Sequence, residues 1–192
     1  VTGVQTCALP ILLQRAHWAA ELFARYDVER VRRILDAVVA AAEAKAEEYA
    51  EWAVRETGMG VVEHKVLKNR MCSRGLWDAY RDHDYVSPRI RREDKILELP
   101  RPAGVIFALT PTTNPIATVY FKVLLALMTR NAIVVSPHPN AKAVCADAVR
   151  TLSDAATAAG APDGCIQVVE EPSVPLIEAL MADQTTDVIV RS

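Results

Sequence analysis

The sequence predicts an α/β protein in which a helical amino-terminal layer precedes a parallel sheet with helices on both faces. Two features carry that expectation. From Ala103 onward, short apolar runs alternate with helix-length segments, and each run is apolar at nearly every position. Strands buried on both faces read this way, and alternation with helices makes them parallel. Before Asp84 the apolar residues recur at intervals of three and four, the period of helices packed along one side.

The helical pattern starts at Ile11. Its first part is apolar at Ile11, Leu12, Leu13, Trp18, Leu22 and Phe23, with Gln14, Arg15 and Glu21 between them. Asp27 is an N-cap for a second helix reaching Thr57, with a face through Val28, Val31, Leu35, Val38, Ala42, Tyr49 and Trp52. Thr57-Gly58-Met59-Gly60 stops it, since glycine takes the left-handed cap. A third helix is expected over residues 61–80. After Asp84 the texture changes: Pro88, Pro100 and Pro102 punctuate extended segments, one a short strand over 95–99. Strands then follow at 105–109, 132–135, 166–169 and 187–190, separated by helices at 116–128, 141–159 and 174–181.

With 192 residues, 51% of them hydrophobic, the chain can bury one sizeable core or two small ones. A net charge of −2 advertises neither nucleic acid nor an anionic membrane. The basic run Arg89, Arg91, Arg92 and Lys95 is broken by Glu93 and Asp94, and reads as a solvated stretch. The four cysteines, Cys7, Cys72, Cys145 and Cys165, have no Cys-x-x-Cys pair. No zinc spacing or disulfide framework is present, so no metal is expected and a reducing cytoplasm is the simplest setting. No apolar stretch approaches the ~18 residues that span a bilayer, and no basic region precedes the short apolar run at 7–13. The chain opens on Val1, and residues 1–10 show no periodicity that joins the helix behind them. They read as a non-native leader. The last residues, 186–192, stop where a strand would hand over to its loop, so a fragment is expected.

The most informative stretch runs from Pro102 to Pro115, where an apolar strand empties into Thr110-Pro111-Thr112-Thr113-Asn114-Pro115 and a helix follows. In α/β proteins such a turn, beyond the carboxyl end of a strand, is where ligands bind. Asn114 stands there with an amide free to donate. The bland alternatives are an Asn closing its own turn, or Thr113 capping the next helix. No Gly-x-Gly-x-x-Gly follows the first strand, so the usual pyrophosphate turn is missing.

Thr-Pro-Thr-Thr-Asn-Pro resembles the corresponding turn of the aldehyde dehydrogenase superfamily, and its CoA-acylating branch in particular. Most of the superfamily carries Trp where Thr113 stands. Further stretches resemble it in order: Glu56-Thr57-Gly58-Met59-Gly60 with Lys65 and Lys68-Asn69; Phe121-Lys122 and Arg130-Asn131-Ala132; Ser136-Pro137-His138-Pro139; Gly160-Ala161-Pro162; and Glu170-Glu171-Pro172-Ser173. The resemblance covers about residues 25–192 and implies a Rossmann-like domain that binds NAD or NADP without the glycine fingerprint. Together with the periodicity, it divides the chain into the leader (1–10), a helical layer (11–84), extended segments forming a candidate oligomerisation flap (85–102) and an incomplete nucleotide domain (103–192).

The implied reaction has two stages. A cysteine thiolate attacks a small aldehyde, the adduct passes hydride to NAD(P)+, and coenzyme A takes the acyl group from the thioester. Asn114 matches the oxyanion-hole asparagine. Thr110, Pro111 and Thr112 match the nicotinamide and pyrophosphate side of the crevice. Ser136, Pro137 and His138 stand where many relatives have Lys-Pro-Ser. With Ser136 at the lysine position, the family's ribose contact does not carry over unchanged. Glu171 and Pro172 would border the adenine, although acidic residues there also suit a helix start. None of the four cysteines matches the nucleophile, which is expected beyond this chain, leaving the fragment inactive alone and a homo-oligomer when complete. Two alternatives remain. One is a hydrolytic dehydrogenase, which Thr113 and Ser136 disfavour; the other is a non-catalytic binding or assembly module using the helix over 27–57.

Overall fold

The computed structural model describes residues 3–191, with side chains from Ile11 onward. Four helices open the chain: α1 (Gly3–Phe23), α2 (Val28–Ala44), α3 (Ala46–Thr57) and α4 (Val62–Arg70). A π-helical turn, Met71–Gly75, joins α4 to α5 (Leu76–Tyr80). A hairpin follows, β1 (Arg89–Arg91) and β2 (Ile96–Glu98), and then the sheet domain. That domain comprises β3 (Val105–Leu109), α6 (Pro115–Met128), β4 (Ala132–Ser136), α7 (Lys142–Ala158), β5 (Ile166–Val168), α8 (Val174–Ala182) and β6 (Val188–Val190).

The four strands β3 to β6 form one parallel sheet in the order β5-β4-β3-β6. Moving from β3 to β4 to β5, the chain steps in one direction, so α6 and α7 share a face. The connection from β5 to β6 returns across the sheet, and right-handed crossover carries α8 to the other face. There α1 lies against β4, β3 and α8. Outside α6 and α7 pack α2, α3 and α4, which complete the layered core. Every residue of β4 is buried, as expected of a central strand with both faces covered. Strand order reverses between β3 and β6, so the crevice beyond their carboxyl ends is the topological switch point, where open α/β sheets bind ligands.

The helical layer departs from expectation in detail. Asp27 caps α2 as its position suggests, its Oδ1 accepting from the Arg30 amide at 2.8 Å. The single helix expected up to Thr57 breaks at Lys45 (φ −101°, ψ 4°), although Tyr49 still enters the core on α3. No glycine or proline marks that break. The third helix is interrupted by the π turn, which packs against α6. On α1, Leu13 and Phe23 are buried, but Ile11, Trp18 and Leu22 face outward. Ala16, Ala19 and Ala20 carry the buried side instead and let the helix approach the sheet closely. The backbone of α1 also runs back to Gly3, eight residues before the expected start at Ile11. The leader reading concerns side chains that lie outside the described residues.

Strand β1 was not expected. Its residues are exposed and its register rests on pairing with β2, Arg89 opposite Glu98 and Arg91 opposite Ile96. The basic run is solvated, as anticipated. No described helix is long and apolar enough to cross a membrane.

Candidate functional site

The loops leaving β3, β4 and β5 converge on one rim of the sheet because the strands are parallel. Every expected site residue lies there. The loop after β3 holds Thr110, Pro111, Thr112 and Asn114, Ser136 ends β4 with Pro137 and His138 in the loop behind it, and the loop after β5 holds Glu171 and Pro172. The last pair is two strands away from Asn114 in the sheet order.

Asn114 precedes α6, with Pro115 in the first helical position, where a missing amide hydrogen costs nothing. Its side chain makes no bond to the helix backbone. It is therefore not closing its own turn, and Thr113, exposed on the loop, does not cap α6 either. The Asn114 carbonyl oxygen instead accepts from the Lys68 ammonium at 2.9 Å. One turn earlier on α4, the Lys65 ammonium donates to the Thr113 carbonyl at 2.8 Å. Lys65 is buried, and burial followed by the charge of Lys68 lowers its pKa. These two lysines, Asn69, Asn114 and the first turn of α6 enclose a cavity of about 10 Å³, the size of a single water-sized group.

The motif Glu56–Gly60 builds the support for this corner. The Glu56 carboxylate accepts from the amides of Ala143 and Val144, at 2.9 and 2.8 Å, and so occupies the amino end of α7. Gly58 ends α3 in the left-handed region, φ +67°. Gly60, φ +85°, passes so close to Lys65 that an added Cβ would come within 3.0 Å of its Cε. Asn69 is buried and donates to the Ala46 carbonyl, which fixes α4 against the start of α3.

The remaining expected residues separate into inward and outward groups. The Thr110 amide donates to the Ser136 carbonyl at 3.0 Å, extending the β3–β4 ladder, while its hydroxyl faces Cys145 Sγ. Thr110 is thus buried against α7. Thr112 and Pro137 are buried, and Pro111 and Pro172 are half-buried. The Ser136 hydroxyl is buried with no protein partner among the described residues. Exposed His138 accepts from the Asn140 amide through Nδ1 at 3.1 Å, starting the 3-10 turn Pro139–Ala141. Glu171 is exposed and paired with Lys142 across the rim.

In the sequence Lys122 stands out only as part of the Phe121-Lys122 stretch, yet it sits at the switch point. Buried among apolar neighbours on α6, its ammonium donates to the carbonyls of Leu109 at 2.5 Å and Val190 at 3.3 Å. It thereby pins the carboxyl ends of β3 and β6, and burial lowers its pKa. The signal was visible in principle, a lone lysine in an otherwise apolar helix. Roles for Lys65 and Lys68 had no such signal, since they depend on where α4 crosses α6.

Cys145 and Cys165 are buried, and burial pushes their thiols up to about 12. They stay protonated and act as small hydrophobes. Half-buried Cys72 lies in the π turn, where burial also raises its pKa.

Residues 8–190 match the aldehyde dehydrogenase family. The chain is 40% identical over 176 residues to the bifunctional aldehyde-alcohol dehydrogenase AdhE of Escherichia coli K12, covering 90% of this chain and 20% of that protein. An acetylating aldehyde dehydrogenase from Geobacillus thermoglucosidasius superposes with a TM-score of 0.93 at 34% identity, covering 98% of this chain and 43% of that one. A Rhodopseudomonas palustris propionaldehyde dehydrogenase, solved with bound CoA and an acylated cysteine, superposes at 0.83 and 30% identity. Its match covers 95% of this chain and 42% of that one. The chain thus spans about a fifth of the curated relative and about two fifths of the two structures.

Proposed function

Because the chain belongs to the aldehyde dehydrogenase family, we propose that it is the oxyanion-binding and nucleotide-binding part of a CoA-acylating dehydrogenase. That enzyme oxidises a small aldehyde with NAD or NADP and passes the acyl group to coenzyme A. The observation that carries this reading is the Asn114 side chain, which stands beyond the carboxyl end of β3 with no bond to its own helix. An amide aimed at the site, rather than at the backbone, can donate to the oxygen of a tetrahedral adduct. Such a preorganised neutral donor lowers the barrier by about 3–4 kcal/mol without itself titrating.

The nucleophile in this reading is a cysteine thiolate contributed by sequence beyond this chain. Burial keeps Cys145 and Cys165 protonated, which disqualifies both. On this proposal, the chain alone does not turn over. The nucleotide supplies the hydride acceptor. Ser136, next to Pro137 and with a buried hydroxyl that no protein group among the described residues satisfies, suits a ribose hydroxyl. Thr110, His138 and Glu171 take lesser parts, since the Thr110 hydroxyl faces Cys145, His138 Nδ1 accepts from Asn140 and Glu171 pairs with Lys142. Lys122 holds the crevice open at a fixed width by tying two strand ends. The exposed hairpin, with Ile90 and Leu97 side by side on adjacent strands, supports the reading of residues 85–102 as an oligomerisation flap in the complete protein. The acetylating and propionaldehyde relatives, together with Thr113 and Ser136, favour acyl transfer to CoA over hydrolysis.

Asn114→Ala in the complete enzyme is expected to lower kcat for aldehyde oxidation by about 10²–10³ with the fold retained. Unchanged oxidation would remove the proposal and leave a binding or assembly role as the better account. Acylation is tested separately: NADH formation should depend on CoA and yield the thioester. An equal rate without CoA, giving free acid, would mark a hydrolytic enzyme.

A further inference from the structure

The bond from Lys68 to Asn114 has a consequence that the oxyanion reading does not require. An ammonium has no lone pair to accept with, and only the carbonyl end of an amide can accept from it. The 2.9 Å contact therefore fixes which way round the Asn114 amide sits. Its carbonyl oxygen faces α4, and its NH2 is the only end left to meet a ligand. Lys65, one turn away on the same side of α4, holds the preceding carbonyl, that of Thr113, at 2.8 Å. Two lysines thus grip two consecutive residues of the loop, and Gly60 packs against one of them.

We propose that Lys68 is a positioning residue for the oxyanion donor: it locks the Asn114 amide with its NH2 toward the adduct and strengthens that donor. Charge-assisted hydrogen bonds are roughly twice as strong as neutral ones, and a bond to the carbonyl polarises the amide so that its N–H groups donate better. The proposal rests on Asn114 binding the oxyanion. Lys65 fixes the backbone from which that side chain springs. The amino end of α6 adds its partial positive charge to the same small cavity. Lys68 itself is exposed, so removing its charge leaves the packing of α4 intact.

The test uses the complete enzyme with Lys68→Met, Lys68→Arg, Asn114→Ala and the double variant Lys68→Met/Asn114→Ala. Lys68→Met is expected to lower kcat about tenfold with the aldehyde KM within twofold and the melting temperature unchanged. Lys68→Arg should recover most of the loss, and Lys68→Met should add nothing once Asn114 is Ala. A Lys68→Met enzyme with wild-type kcat, beside a crippled Asn114→Ala enzyme, would overturn the positioning role and leave the oxyanion reading standing. A full further loss in the double variant would also overturn it, because Lys68 would then act other than through Asn114. If Asn114→Ala itself is active, the oxyanion reading fails first, and the positioning role fails with it.

Discussion

Gly60 shows how much of this site depends on single atoms. Its φ of +85° disfavours any side chain, and an added Cβ would press on Lys65, 3.0 Å from Cε and 3.4 Å from Nζ. Gly58, φ +67°, is strained in the same way by substitution but has nothing within 4 Å of an added Cβ. The two glycines therefore separate backbone strain from displacement of the lysine. Both Gly58→Ala and Gly60→Ala should destabilise the protein by about 1 kcal/mol in urea unfolding. Only Gly60→Ala should also reduce kcat of the complete enzyme severalfold, because the added Cβ would displace the Lys65 ammonium by a few tenths of an ångström from its place on the Thr113 carbonyl. Equal activity in the two variants would mean that the Lys65 contact does not reach the chemistry.

At the scale of elements, the cap on α2 is the most direct link from sequence to stability. Asp27 accepts from the Arg30 amide, and its negative charge suits the positive end of the helix. Asp27→Ala should cost about 1 kcal/mol, and Asp27→Asn much less, measured as the shift in denaturation midpoint. A cap of this kind is legible because it acts within three residues. The strands of the sheet were legible for a related reason: Ala132 to Ser136 is buried on both faces, and its composition says so. Strand β1 was not, because Arg89-Ile90-Arg91 is exposed all round and becomes a strand only by pairing with β2. The break at Lys45 and the π turn at Met71–Gly75 were equally hidden, since no glycine or proline stands at the first and Gly75 in the second keeps ordinary helical dihedrals (φ −60°, ψ −42°). On the rim, the position of Asn114 could be read from the strand-to-helix turn. The grip of Lys68 could not, since it joins residues 46 apart that only tertiary packing brings together. The family resemblance puts Thr110 on the cofactor side of the crevice, and only tertiary packing shows that its hydroxyl meets Cys145 on α7.

For the molecule as a whole, the buried ionisable groups make stability depend on alkaline pH. Burial raises the thiols of Cys145 and Cys165 to about 12, whereas an unfolded thiol ionises near 8.5. Between those values the unfolded chain gives up protons that the folded chain keeps, so rising pH favours unfolding. Their contribution is fully present below about pH 8.5 and disappears as pH climbs through the folded value. Burial raises the Tyr49 and Tyr120 hydroxyls as well, which adds to the same trend above about pH 10. The thiols alone would leave the urea midpoint flat from about pH 7 to 8.5 and lower it beyond, while the depressed pKa values of Lys65 and Lys122 act with the opposite sign. Cys145→Ala with Cys165→Ala will lower the midpoint at every pH, because two small cavities are left. Its slope between about pH 8.5 and 10 should nevertheless be shallower than that of the parent, and that difference isolates the thiols from the packing loss. An identical slope would mean that both thiols ionise in the folded protein. The core between β4, β5 and α7 would then admit water that its burial says it excludes.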